Sequence, residues 1–154
     1  MEILFGIDVG TTNVKNIAFN RAGEIEAQVS FPTPSLITPD GVHAIDTDTL
    51  WKSLISSFVS ITDTLKSKYE GKIPYSFSGI AITGMAETGV LLGADGRELY
   101  PAILWNDGRT GKEVEYLNGT IGKDKLSEYT ANIAFAGFTA PKLLWMKANE
   151  PDLF

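Results

Sequence analysis

The chain opens on three apolar segments, about residues 2–9, 14–20 and 24–31, set apart by short polar stretches. In the third, Ile25, Ala27, Val29 and Phe31 recur at the two-residue period of a strand. Gly10-Thr11-Thr12-Asn13 and Arg21-Ala22-Gly23-Glu24 leave room only for tight turns, so the pattern predicts an antiparallel meander. Residues 32–46 carry three of the seven prolines together with Asp, Gly and Ser, which predicts a loop. The period then becomes helical. Asp46-Thr47-Asp48 offers an N-cap and an acidic first turn, and Trp51, Leu54, Ile55, Phe58, Val59 and Leu65 fall on one face. A long amphipathic helix is expected over 48–69, with those side chains as its core face and with Gly71 and Pro74 ending it.

Ser78–Gly84 lacks polar alternation and predicts a strand buried on both faces. Val90–Arg97 reads as a strand entering an Asp-Gly turn, with Pro101–Trp105 returning as its partner. Beyond Thr110 the pattern is helical, interrupted near Asn118-Gly119 and again at Ala136-Gly137. Thr139 is expected to cap a last helix that tolerates Pro141 in its first turn, with Leu143, Leu144 and Met146 supplying its apolar face. Together these elements predict an α/β fold, a mixed sheet flanked by helices. The sequence stops at Glu150–Phe154, just after a helix, where an alternating α/β domain would add a strand. The expectation is an N-terminal piece of a longer protein.

Composition narrows the chemistry. With 154 residues, 44% apolar and 21% charged, the chain suits a globular domain, which at this size buries roughly 68–70% of its unfolded surface. A net charge of −6 and no visible basic face argue against nucleic acid as a partner. No cysteine and a single histidine, His43, exclude disulfides, thiolate nucleophiles, zinc clusters and histidine triads. Acid–base work falls to carboxylates. His43 lies in a polar Pro-Asp-Gly-Val-His segment and reads as an exposed bystander. No secretory pattern opens the chain and no apolar run approaches the length of a membrane span, so a cytoplasmic protein without a membrane partner is expected.

Two polar constellations stand out. Asp8 closes the first strand, where a carboxylate suits a hydrated Mg²⁺. In the turn that follows, Gly10 lets the main chain approach a ligand, while Thr11, Thr12, Asn13 and main-chain N–H groups can surround a phosphate. Neither Gly-x-x-x-x-Gly-Lys-Ser/Thr nor Gly-x-Gly-x-x-Gly occurs, and on local chemistry alone an ordinary hairpin is an equal reading. The second constellation is Met85-Ala86-Glu87-Thr88, after the fourth strand, with Trp105-Asn106-Asp107-Gly108-Arg109-Thr110. Ligands gather at the carboxyl ends of strands in open α/β sheets. Carboxylates and an amide bind hydroxyls, and an indole walls the C–H face of a polyhydroxylated substrate. The plainer alternative makes Asn-Asp-Gly a turn, Arg109 a helix-start charge and Trp105 a core residue.

The string Gly6-x-Asp8-x-Gly10-Thr11-Thr12-x-x-Lys15 resembles the first phosphate motif of the actin-like ATPase superfamily of sugar kinases, heat-shock chaperones and actin. Pro101–Arg109 and Gly137–Trp145 resemble the N-terminal part of the FGGY carbohydrate kinases, especially the xylulokinase branch. The similarity runs in order along nearly the whole chain. It implies a ribonuclease H-like (actin-like ATPase) fold, incomplete here, and ATP-dependent phosphorylation of a sugar or polyol hydroxyl. By this resemblance Asp8 organises Mg²⁺, and Gly10, Thr11, Thr12, Asn13 and Lys15 line the ATP phosphates. Ala86, Glu87, Trp105, Asn106 and Asp107 line the substrate. The general base is implied to be an Asp beyond Phe154, and the second phosphate loop and adenosine pocket lie further on, so the isolated chain is expected not to turn over. Ala86-Glu87 matches neither the Arg-Glu pair of glycerol kinases nor the Met-His pair of xylulokinases, while Gly137 is shared with the latter. A ketopentose is therefore the leading substrate, with other ketoses and polyols open, and a homodimer is compatible with the family. The competing readings are a non-catalytic actin-like or chaperone-type scaffold fragment and a standalone sugar-binding module.

Overall fold

The three opening segments form strands β1 (Glu2–Val9), β2 (Asn13–Asn20) and β3 (Ile25–Pro32), paired antiparallel in sequence order. The computed structural model describes residues 1–39, 41–70 and 72–154. Gly71, expected to end the long helix, and Asp40, in the expected loop, lie outside them. The described chain divides into two compact units, Met1–Pro34 with Thr47–Met85, and Ser35–Asp46 with Ala86–Phe154.

In the first unit the meander is joined by β6 (Ser76–Gly84), parallel to β1, giving the order β3-β2-β1-β6. Helix α1 (Thr47–Tyr69) is the crossover and packs over β2 and β3. The core lies between sheet and helix, where Ile3, Phe5, Ala18 and Ala27 meet Ile61 and Leu65. Each large aliphatic side chain fully buried there contributes about 1.5–3 kcal/mol.

Two expectations about this unit are corrected. The α1 face turned inward runs through Leu54, Ser57, Phe58, Ile61 and Leu65, whereas Trp51, Ile55 and Val59 are exposed. The apolar positions cover more than one stripe, and only the stripe over β2 and β3 meets a partner. Strand β6 is not buried on both faces; Ile80 and Ile82 are 61% and 72% exposed. It is an edge strand with β1 as its neighbour in the sheet, and all of its residues stay exposed.

The second unit holds a sheet in the order β4-β5-β8-β7, with β4 (Ser35–Ile37), β5 (His43–Ile45), β7 (Gly89–Leu92) and β8 (Glu98–Ile103), all antiparallel. The hairpin β7–β8 follows the sequence pattern, with Gly96 at a φ of 78° in its turn. The hairpin β4–β5 replaces the loop expected over 32–46. Its strands are three residues long, too short to show a period, and β5 is held by pairing with the distant β8. Helix α2 (Gly111–Leu117), a π-helical turn at Asn118–Gly122, α3 (Lys123–Thr130) and α4 (Thr139–Asn149) follow. Thr139 is the first residue of α4, not its cap. No helix among the described residues is long and apolar enough to cross a membrane.

Candidate functional site

The first constellation lies in the first unit, at the β1–β2 turn. Gly10 N–H donates to the Asn13 carbonyl at 3.1 Å and closes the turn, so that N–H is not free for a ligand. A Cβ on Gly10 would sit 2.7 Å from the Asn13 carbonyl oxygen, which is why glycine stands here. Thr33, from the end of β3, braces the turn. Its N–H donates to Thr12 O at 2.9 Å and its hydroxyl to Gly10 O at 2.6 Å. Nothing in the Pro-Thr-Pro sequence around Thr33 announces that role.

Asp8 pairs in register with Lys15 on β2 and with Thr83 on β6, so the three side chains share one face of the sheet. All three are exposed, together with Thr12 and Asn13, while Thr11 is half-buried. On this face a shallow cavity of about 340 Å³ is lined by Gly6, Asp8, Lys15, Ala81 and Thr83 among others. Val14 and Asn16, one position either side of Lys15, point the other way and are buried.

The second constellation lies in the second unit. Asp107 is 1% exposed and sits under the Trp105–Asn106 turn, with both oxygens engaged. Oδ1 accepts from Arg109 N–H at 3.0 Å and Arg109 Nε at 2.8 Å; Oδ2 accepts from Arg109 Nη2 at 2.8 Å and His43 N–H at 2.7 Å. The Arg109 guanidinium, buried with it, lies 4.8 Å from the Trp145 ring centre and donates to Tyr100 Oη at 3.1 Å. Burial alone would raise the Asp107 carboxyl. The Arg109 side chain and the Arg109 and His43 main-chain N–H groups outweigh that and hold it below its ordinary value. Asp107 is thus placed as a buried anchor, whereas Trp105 and Asn106 are exposed above it.

His43 is no bystander. It is half-buried in β5, its N–H holds Asp107, and its ring Nδ1 lies 3.1 Å from Asn106 Nδ2. The pairing of β5 with β8 brings it there, which no local signal could show.

Glu87 has a φ of 58°, in the left-handed region that non-glycine residues rarely occupy. Its Oε2 accepts from Thr139 N–H at 3.0 Å and Thr139 Oγ1 at 2.8 Å, so Glu87 closes the N-terminus of α4. Lys142, 3% exposed, donates its ammonium to the Glu87 carbonyl. Ala86 is exposed beside it.

The segment Ala136–Thr139 ties these parts together. Thr110 Oγ1 donates to Ala136 O at 3.1 Å, Thr139 holds Glu87, and Gly137 packs on Trp105 so closely that a Cβ would lie 2.4 Å from its carbonyl oxygen. Gly137 therefore has a packing reason to be glycine in this chain. Of the expected substrate residues, Glu87, Trp105 and Asn106 converge around this segment and His43, with Asp107 beneath.

Residues 3–154 match the family described as the FGGY family of carbohydrate kinases, N-terminal domain. The xylulose kinase of Staphylococcus xylosus is 30% identical over 152 residues, covering 99% of this chain and 30% of its own length. The L-fuculokinase of Escherichia coli K12 is 32% identical over 152 residues, 99% of this chain and 31% of that protein. The crystal structure of xylulose kinase from Rhodospirillum rubrum superposes with a TM-score of 0.88 at 28% identity, covering 99% of this chain and 30% of that one. The chain thus spans about a third of the length of the relatives it matches. With its mixed α/β architecture of the actin-like ATPase kind, it belongs to the FGGY family of carbohydrate kinases.

Proposed function

We propose that this chain supplies the first phosphate loop and part of the sugar site of a kinase that transfers the γ-phosphoryl group of ATP to a sugar or polyol hydroxyl. The observation that carries the reading is the family match over residues 3–154, which includes both polar constellations. In the first unit Thr11, Thr12, Asn13 and Lys15 hold the ATP phosphates, on a turn whose tight closure Gly10 permits. Asp8 suits a hydrated Mg²⁺ bound through one carboxylate, with Thr83 as a further oxygen beside it. No cluster of three His, Cys, Asp or Glu side chains occurs among the described residues. Bound there, the ion would neutralise charge on the transferring phosphoryl group.

In the second unit Trp105 offers the apolar wall, while Asn106, Glu87 and the main chain of Ala86 bind and orient hydroxyls. Asp107 acts from below by fixing the turn that presents them. A ketopentose leads among substrates, supported by the xylulose kinase relatives, and the L-fuculokinase relative keeps other sugars in play. The base that takes the hydroxyl proton is expected further along the full-length protein, and a cytoplasmic setting goes with the reading.

The test is ADP release by the full-length protein with Mg·ATP across ketopentoses, pentitols, glycerol and erythritol, with Asp8→Asn alongside. Sugar-dependent release that falls at least about a hundredfold in the variant is expected, the loss of several kcal/mol of metal-assisted stabilisation. ATPase activity indifferent to sugar and to Asp8 would instead support the scaffold reading.

A further inference from the structure

A lysine is seldom fully buried unless it is paired, yet Lys142 is 3% exposed and its ammonium has one hydrogen-bond partner among the described residues, the Glu87 carbonyl. That bond falls on the main chain of a residue in the left-handed conformation, at a φ of 58°. A glutamate gains nothing locally from this conformation, and such backbone persists only where its surroundings over-determine it. Two groups from one turn of α4 do so. Lys142 takes the carbonyl, and Thr139 takes Oε2 through its N–H and hydroxyl. Both carboxylate bonds fall on Oε2, and Oε1 has no hydrogen bond among the described residues. Glu87 itself is exposed.

We propose that Lys142 is a positioning residue for substrate recognition: by holding the Glu87 carbonyl it keeps that residue in the left-handed conformation which, with Thr139, leaves Oε1 open to a substrate hydroxyl. The inference rests on the kinase reading above and extends it to a residue that does not touch substrate. Burial pushes the Lys142 ammonium down from its ordinary value, while the charges of Glu87 and Asp107 act to keep it protonated. A neutral amine would still donate to a carbonyl, so the bond does not depend on that balance.

The test uses the full-length protein and a sugar the wild type phosphorylates. Lys142→Met should raise KM for the sugar about tenfold or more, the worth of one hydrogen bond to a charged group. kcat should stay within about threefold and KM for ATP unchanged, the signature of lost uniform binding. Thr139→Ala, at an exposed position, should give the same sugar-only effect. In a Glu87→Ala background, Lys142→Met should raise the sugar KM no further, because the residue it serves is gone. Should Lys142→Met not fold, Thr139→Ala, which removes the hydroxyl bond to Oε2, carries the same cycle with Glu87→Ala. An unchanged sugar KM in folded single variants, or an equal rise in the Glu87→Ala background, would overturn the proposal while leaving the kinase reading intact. A wild type that releases no ADP with any sugar would overturn both.

Discussion

Asp107 and Arg109 form a buried ion pair at side-chain exposures of 0% and 8%, and removing one partner should show how the second unit is held. Asp107→Leu deletes the acceptor for three bonds from Arg109 and one from His43 N–H. It strands a guanidinium away from water, a loss of about 3–5 kcal/mol. Arg109→Met strands the carboxylate instead and should cost a similar amount, about 3–5 kcal/mol. The double variant leaves no charge behind. Only the His43 and Arg109 N–H groups lose their acceptor, so it should stand about 1–3 kcal/mol below wild type, much less than the sum of the singles. Urea unfolding followed by tryptophan fluorescence measures this, since Trp145 lies against Arg109. The sign with pH follows from the lowered Asp107 carboxyl. The pair's stabilisation is complete above the ordinary carboxylate value and is lost as pH falls through the lower folded-state value. Additive single losses, or a single loss under about 1 kcal/mol, would refute the claim that the pair acts as one buried unit.

Gly137→Ala places a Cβ 2.4 Å from the Trp105 carbonyl oxygen. It should destabilise by about 1–3 kcal/mol through overpacking and raise the sugar KM by moving Trp105, an effect absent if the segment simply shifts aside. Asn16 is fully buried, donates to Ser57 Oγ, and has no partner for its Oδ1 among the described residues. Ser57→Ala should therefore cost about 1–3 kcal/mol, while Asn16→Leu with Ser57→Ala should be near neutral; equal losses in thermal melts would contradict this. The Glu26 carboxyl is held below its ordinary value by Lys68 and Tyr69, burial opposing, with Asn20 adding to the effect. Its contribution is present above the ordinary carboxylate value and lost on acidification through the lower folded value, so Glu26→Gln should flatten the acid limb of a stability–pH curve.

Local pattern carried much of this protein. The opening strands, the span of α1, the β7–β8 hairpin and the break between α2 and α4 all follow from period and turn chemistry, because each depends on neighbours a few residues away. The resemblance in the Asp8–Lys15, Pro101–Arg109 and Gly137–Trp145 segments led to the family. What sequence could not supply depends on pairing across long separations. His43 reaches Asn106 and Asp107 only because β5 lies against β8, Glu87 caps a helix that begins 52 residues later, and Thr33 braces a turn 23 residues earlier. The inward stripe of α1 was chosen among several apolar ones by where the sheet lies. The carboxylate Asp107, which in sequence looks free to bind a hydroxyl, became a buried anchor because the nearby Arg109 guanidinium and N–H engage its oxygens and the folded chain adds the His43 N–H from 64 residues away. Composition and period specify which residues leave water; only the folded chain decides which polar groups satisfy one another and which remain open for a ligand.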